Sequence, residues 1–146
     1  MCLILYGYPQ SEKVADEEII CYKVLEFDHN VYCTPYRKTL VCFSKGTDLV
    51  LKAEGKKVIC DNRVSVGMIH TFSKLKSAKA CLRDLSKTFP NYLYYIFKCR
   101  IPKGTSYYSG GVYEYDDGLA SELIVIGRRL WSTRTFLKRI KHVFNF

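Results

Sequence analysis

Apolar and polar positions alternate in short runs over the first sixty residues. Cys2 to Tyr6, Ile19 to Leu25, Thr39 to Phe43 and Lys57 to Cys60 are each rich in Val, Ile, Leu, Tyr or Cys and bounded by turn residues, which predicts four strands. The period then changes. Phe72, Leu75, Ala78, Leu82, Leu85 and Phe89 recur at steps of three and four with Lys74, Lys76, Lys79, Arg83 and Lys87 between them, so one amphipathic helix is expected. Thr71 or Ser73 is expected to cap it, and Pro90 to end it. Beyond Pro90, Tyr92 to Arg100 is apolar and aromatic enough for a central strand, and IPKGT marks a turn. SYYSGGVYEYDDGLA reads as an exposed loop and SELIVIG as a buried strand. The last stretch, RRLWSTRTFLKRIKHVFNF, fits either a helix, with Phe136, Ile140 and Val143 on one stripe, or a strand. Strands, one main helix, then strands again predict an α+β domain.

Composition narrows this picture. A chain of 146 residues, 48% hydrophobic and 25% charged, fits one compact domain over residues 1–146 and excludes disorder, collagen and coiled coil. Its 23 basic and 14 acidic residues leave a net charge of +9, and that charge has an address. Residues 73–88 hold five basic residues and Asp84, and residues 127–146 hold six basic residues and no acid. The remainder is close to neutral, so the charge sits on one helix and one basic-aromatic C-terminal segment: it implies an anionic partner if the two share a face and solubility if they lie apart, and the helix lysines by themselves read first as a solvated face. No run reaches the roughly 18 apolar residues of a membrane span. MCLILYGYPQ has neither a basic n-region nor an A-x-A-like site, so a cytoplasmic location is expected. The seven cysteines, at 2, 21, 33, 42, 60, 81 and 99, include no C-x2-C pair and read as buried thiols, with no metal site expected.

The common catalytic signatures G-x-G-x-x-G, G-x-x-x-x-G-K-[ST], H-E-x-x-H and G-x-S-x-G are absent, which removes most hydrolase and NTPase readings. Cys2 is either an N-terminal nucleophile, were Met1 removed, or the opening of a strand. His70, between an apolar run and the helix, either holds structure or reaches into a cleft. Of the acidic candidates Glu114, Asp116, Asp117 and Glu122, only Glu122 heads a strongly apolar strand, which makes it the first choice for a catalytic carboxylate. Tyr92, Tyr94 and Tyr95 suit sheet packing, whereas Tyr107, Tyr108, Tyr113 and Tyr115 suit either packing or a stacked ligand. Arg128, Arg129, Arg134, Lys138, Arg139 and Lys141, interleaved with Trp131, Phe136, Phe144 and Phe146, can hold nucleic-acid phosphates, lie on an anionic membrane, or pack their apolar neighbours and stay in solvent.

In order along the chain, CYKVL, GMIHTFS leading into the helix, CRIPKGT and ASELIVIG resemble the landmarks of the ADP-ribosyltransferase-like fold over about residues 19 to 127. The resemblance implies strongly bent mixed or antiparallel sheets with one main helix. It also implies NAD or a related anionic nucleotide as ligand. Tyr22 and Lys23 would take the first family position, Thr71 and Ser73 the second and Glu122 the catalytic third, with His70 beside Ser73 and the 110–118 stretch, bearing Tyr113 and Tyr115, facing the target. The implied activity is transfer of ADP-ribose from NAD, or NAD cleavage. Lys23 presents a point charge where the family shows the bidentate fork of an arginine, so a non-catalytic binder of a nucleotide signal or of nucleic acid is the alternative. The chain also resembles small phage and bacterial proteins that begin Met-Cys-Leu and carry a CYKVL-type strand, a likeness that implies no known reaction; a host or phage protein is a candidate target.

Overall fold

The computed structural model describes residues 3–5, 12–28, 31–35, 40–41, 49–53, 58–60, 63–66, 68–112 and 115–132. Among the described residues, nine strands precede the helix: β1 (Leu3–Leu5), β2 (Lys13–Val14), β3 (Ile19–Asp28), β4 (Val31–Cys33), β5 (Leu40–Val41), β6 (Leu49–Lys52), β7 (Val58–Cys60), β8 (Arg63–Val66) and β9 (Ile69–Phe72). Helix α1 (Leu75–Thr88) is followed by β10 (Leu93–Ile101), β11 (Ser106–Val112), β12 (Tyr115–Ser121) and β13 (Leu123–Ser132). All thirteen strands join one antiparallel sheet whose main path runs β6-β13-β10-β3-β9-β12-β11-β1-β8-β7. The chain is a single α+β domain, mostly β, with one helix among the described residues.

The centre of the sheet is the pair β3 and β10, in continuous register from Leu93 opposite Phe27 to Ile101 opposite Ile19. Two-residue alternation splits its side chains between two cores. On one face Val24, Tyr94 and Ile96 pack with Ala78, Cys81, Leu82 and Leu85 of α1 and with Phe72, Tyr108 and Ala120. The other face carries Cys21, Leu25, Tyr95, Phe97 and Cys99 together with Ile69, Leu119, Ile124 and Ile126. Cys21, Cys33, Cys81 and Cys99 are buried and form no disulfide.

Several expectations need correction. The 106–120 stretch is not a loop: β11 and β12 form an antiparallel ladder with Tyr107 opposite Ser121, Tyr108 opposite Ala120 and Gly110 opposite Gly118. Glycines suggested a loop, but the β-favouring tyrosines and leucine alternate correctly, and Gly110 and Gly118 are buried where strands come close. Phe72 closes β9 and enters the core, so it does not start the helical stripe. Neither Thr71 nor Ser73 is the N-cap; Lys74 is, with extended backbone and no side-chain cap of its own. Phe89, expected on the apolar stripe, is the C-cap and is 45% exposed. The IPKGT turn is present: Thr105 N–H donates to the Pro102 carbonyl at 3.2 Å, and Gly104 holds φ +85°, which suits glycine. Residues 128–132 continue β13, so the described start of the basic segment is strand. Trp131 packs against the helix-side core with Lys79 Nζ 5.3 Å from its ring. Residues 133–146, with Arg134, Lys138, Arg139 and Lys141, lie outside the described residues.

Candidate functional site

Unlike the β3–β10 ladder, the contact of β3 with β9 is a single pair, Tyr22 opposite Phe72. The two strands part beyond it, leaving backbone groups without ladder partners, and buried polar groups must be satisfied by other means. Lys23 does this. Its side chain is 6% exposed, and its ammonium donates to the His70 carbonyl at 2.7 Å. Burial drives its pKa below the usual lysine value, opposed by the neighbouring thiols of Cys99, Cys81 and Cys21. A lysine committed this way bridges two diverging strands and does not face a ligand.

Across β9 lies β12, with Gly118 opposite Phe72 and Leu119 opposite Thr71. One step further, Ser73 N–H donates to the Asp117 carbonyl at 2.9 Å, and the Asp117 carboxylate (Oδ2) accepts the Lys74 N–H at 2.8 Å. The helix therefore takes its cap from another strand, which satisfies one of the amides that open every helix. Asp117 is 8% exposed, and its second oxygen, Oδ1, has no hydrogen-bond partner. Tyr22, half-buried, packs on the same helix-side core as Leu75 and Phe72. Ser73, Lys74 and Asp117 thus meet where β9 and β12 reach the N-terminus of α1, one residue past the Tyr22–Phe72 pair.

The remaining expected residues divide clearly. Thr71 is buried on the opposite face, where it meets the Cys21 thiol, and its Oγ1 has no nitrogen or oxygen partner. His70 is buried inside β9 and lends its carbonyl to Lys23. Glu122 heads β13 as expected, but its side chain is exposed. Its backbone is tied into the sheet, N–H to Ser106 and carbonyl to Ala53 N–H at 2.8 Å. Five residues past Asp117 on a strand rising about 3.4 Å per residue, it lies on the order of 15 Å from the Ser73 group. Ser73 follows Phe72, the strand partner of Tyr22, and Glu122 lies apart. Tyr107 and Tyr108 pack into the two cores, which accounts for them without a ligand. Tyr113, and the side chain of Tyr115, lie outside the described residues. Arg128 and Arg129 are exposed on β13, where Arg129 stacks 4.8 Å from the Tyr95 ring and donates to the Tyr32 hydroxyl.

Asp117 was visible as one acid among four, and its helix-capping role was not. The signal that finds it is a lysine at the start of α1 with no capping side chain of its own, which requires an acceptor from elsewhere. Among the described residues, no cluster of His, Cys, Asp and Glu could hold a metal ion, and no helix is long and apolar enough to cross a membrane. Comparison with protein-family models, with curated proteins and with solved structures gives no match.

Proposed function

We propose that the protein is a divergent member of the ADP-ribosyltransferase-like fold that binds NAD or a related anionic nucleotide beside the N-terminus of α1. The carrying observation is the Asp117 carboxylate, buried next to Ser73 with Oδ1 unpartnered. The order of elements adds support. A strand bearing Tyr22 abuts the strand that leads into the helix, IPKGT forms the turn after β10, and a carboxylate-bearing strand lies against β9.

In this reading Asp117, not Glu122, is the site carboxylate. An unpartnered carboxylate oxygen fits the hydroxyl donors of a ribose, and charge-assisted hydrogen bonds of this kind are the strong ones. The half-buried Tyr22 ring offers a stacking surface, and Ser73 adds a hydroxyl. The exposed Lys74 ammonium and the opening amides of α1, whose first turn carries no acid, suit a pyrophosphate. Lys23 has no part in binding. NAD supplies a glycosidic bond whose cleavage leaves positive charge on the ribose, which a carboxylate stabilises.

A melting experiment tests this directly. NAD at a hundredfold over its Kd adds about 2.7 kcal/mol of stability to the wild type. Asp117→Asn keeps an acceptor for the Lys74 N–H but removes the charge, and should abolish that rise, while Glu122→Gln should keep it. No rise in the wild type, or an undiminished rise in Asp117→Asn, contradicts the assignment. Nicotinamide release distinguishes a transferase or glycohydrolase from a binder.

A further inference from the structure

The exposed face of α1 carries a pattern that nucleotide binding does not use. At 100° per residue, Lys76, Lys79, Arg83 and Lys87 fall within an arc of about 80°, opposite the buried Ala78, Cys81, Leu82 and Leu85. The stripe runs about 16 Å along the axis, with the cations about 5 Å apart. Asp84 stands to one side. Most of this arrangement works against the helix, Lys87 in the last turn excepted. Lys79 and Arg83, and Arg83 and Lys87, are like-charged pairs four residues apart, which destabilise a helix, and Lys76 sits in the first turn, where the dipole disfavours cations. A helix charged only for solubility would interleave acids with these bases. A row of cations kept despite mutual repulsion marks a surface that meets an anion.

We propose that this stripe binds single-stranded nucleic acid, its phosphates lying along Lys76, Lys79, Arg83 and Lys87. Two exposed aromatic side chains follow the helix end. Phe89 is 45% and Tyr92 37% exposed, joined by a hydrogen bond from Tyr92 N–H to the Phe89 carbonyl at 3.4 Å. Exposed rings at the end of a phosphate track provide stacking platforms for bases. Lys79 lies above the Trp131 ring of β13, at 5.3 Å from its centroid. An anionic bilayer fits poorly, because an interfacial helix must insert its apolar face, and here that face is buried in the core.

Fluorescence anisotropy with labelled oligothymidylate and oligouridylate at several salt concentrations tests the proposal. Binding should weaken with salt. The triple substitution Lys76→Gln, Arg83→Gln, Lys87→Gln should flatten the slope of log K against log salt by about 2, at roughly 0.7 for each phosphate no longer neutralised. Its melting temperature should match or exceed that of the wild type. Asp84→Lys, a gain of cation beside the stripe, should tighten binding, so the test survives a misfolded triple variant. Phe89→Ser with Tyr92→Ser should weaken binding roughly fivefold or more and leave the slope unchanged. Binding of either oligonucleotide supports the proposal, and their ratio assigns DNA or RNA. Absence of oligonucleotide binding overturns it, as does a slope unchanged in the triple variant, or capture by phosphatidylserine vesicles but not by oligonucleotides.

Discussion

Strand β3 has two edges, and they are built in opposite ways. Along β10 it runs through nine paired positions, and the buried side chains it carries there are apolar apart from Lys23 and Glu26. Along β9 it pairs once, and buried Lys23, His70, Thr71 and Asp117 cluster on and beyond that seam. The contrast shows how one strand serves stability on one side and leaves the other for polar groups. A full ladder satisfies its backbone groups by itself, whereas a diverging pair recruits side chains such as Lys23 to do the same work.

The largest expected effect lies on the ladder side. Ile96 is fully buried against α1, so Ile96→Ala should cost about 2–5 kcal/mol, read from urea midpoints, while nucleotide binding by the folded fraction persists. Loss of binding out of proportion to stability would show that the two edges are not separable.

Alkali should also distinguish the edges, with opposite signs. Burial pushes the thiols of Cys21 and Cys81 up to about 11 and that of Cys99 to about 12, from 9.0. Above pH 9 the unfolded chain has released these protons and the folded chain still holds them, so stability falls as pH rises. Three such groups together cost about 3 kcal/mol between pH 9 and 10. Lys23 acts the other way. Its folded pKa is depressed, so below 10.5 the unfolded chain binds the extra proton, and stability gains as pH rises toward that value. Denaturation series at pH 8, 9 and 10 should therefore show a net alkaline loss that is steeper in Lys23→Met. A flat profile in both proteins contradicts the burial of the thiols.

The smallest effect belongs to the seam's polar cap. Asp117→Ala removes the acceptor of the Lys74 N–H and should cost about 1 kcal/mol, with Asp117→Asn close to the wild type in stability. A loss as large as that of Ile96→Ala would make Asp117 a core residue first and a site residue second.

The ladder was legible in the sequence and the seam was not. Ile19 to Leu25, Tyr92 to Arg100 and the 3.6-residue stripe of α1 declare themselves because apolar periodicity records which face is buried. Polar residues in a sheet carry no such record. Lys23 on a strand reads as solvent-facing, and its burial follows from the parting of β3 and β9, a long-range event invisible to local pattern. Glu122 drew notice through the apolar run it heads, but an end position at a bend leaves its side chain exposed. Asp117 lay between glycines and tyrosines that imitated a loop, and its value comes from a helix more than thirty residues earlier.

Chemical-shift mapping of the backbone amides during an NAD titration tests the central claim most directly, because it reads every described strand at once. Shifts concentrated at Tyr22, Ser73, Lys74 and Asp117, with Glu122 and the rest of the β3–β10 ladder unmoved, are the predicted result. Shifts centred on Glu122 and Ser106, or none at saturating NAD, would contradict it.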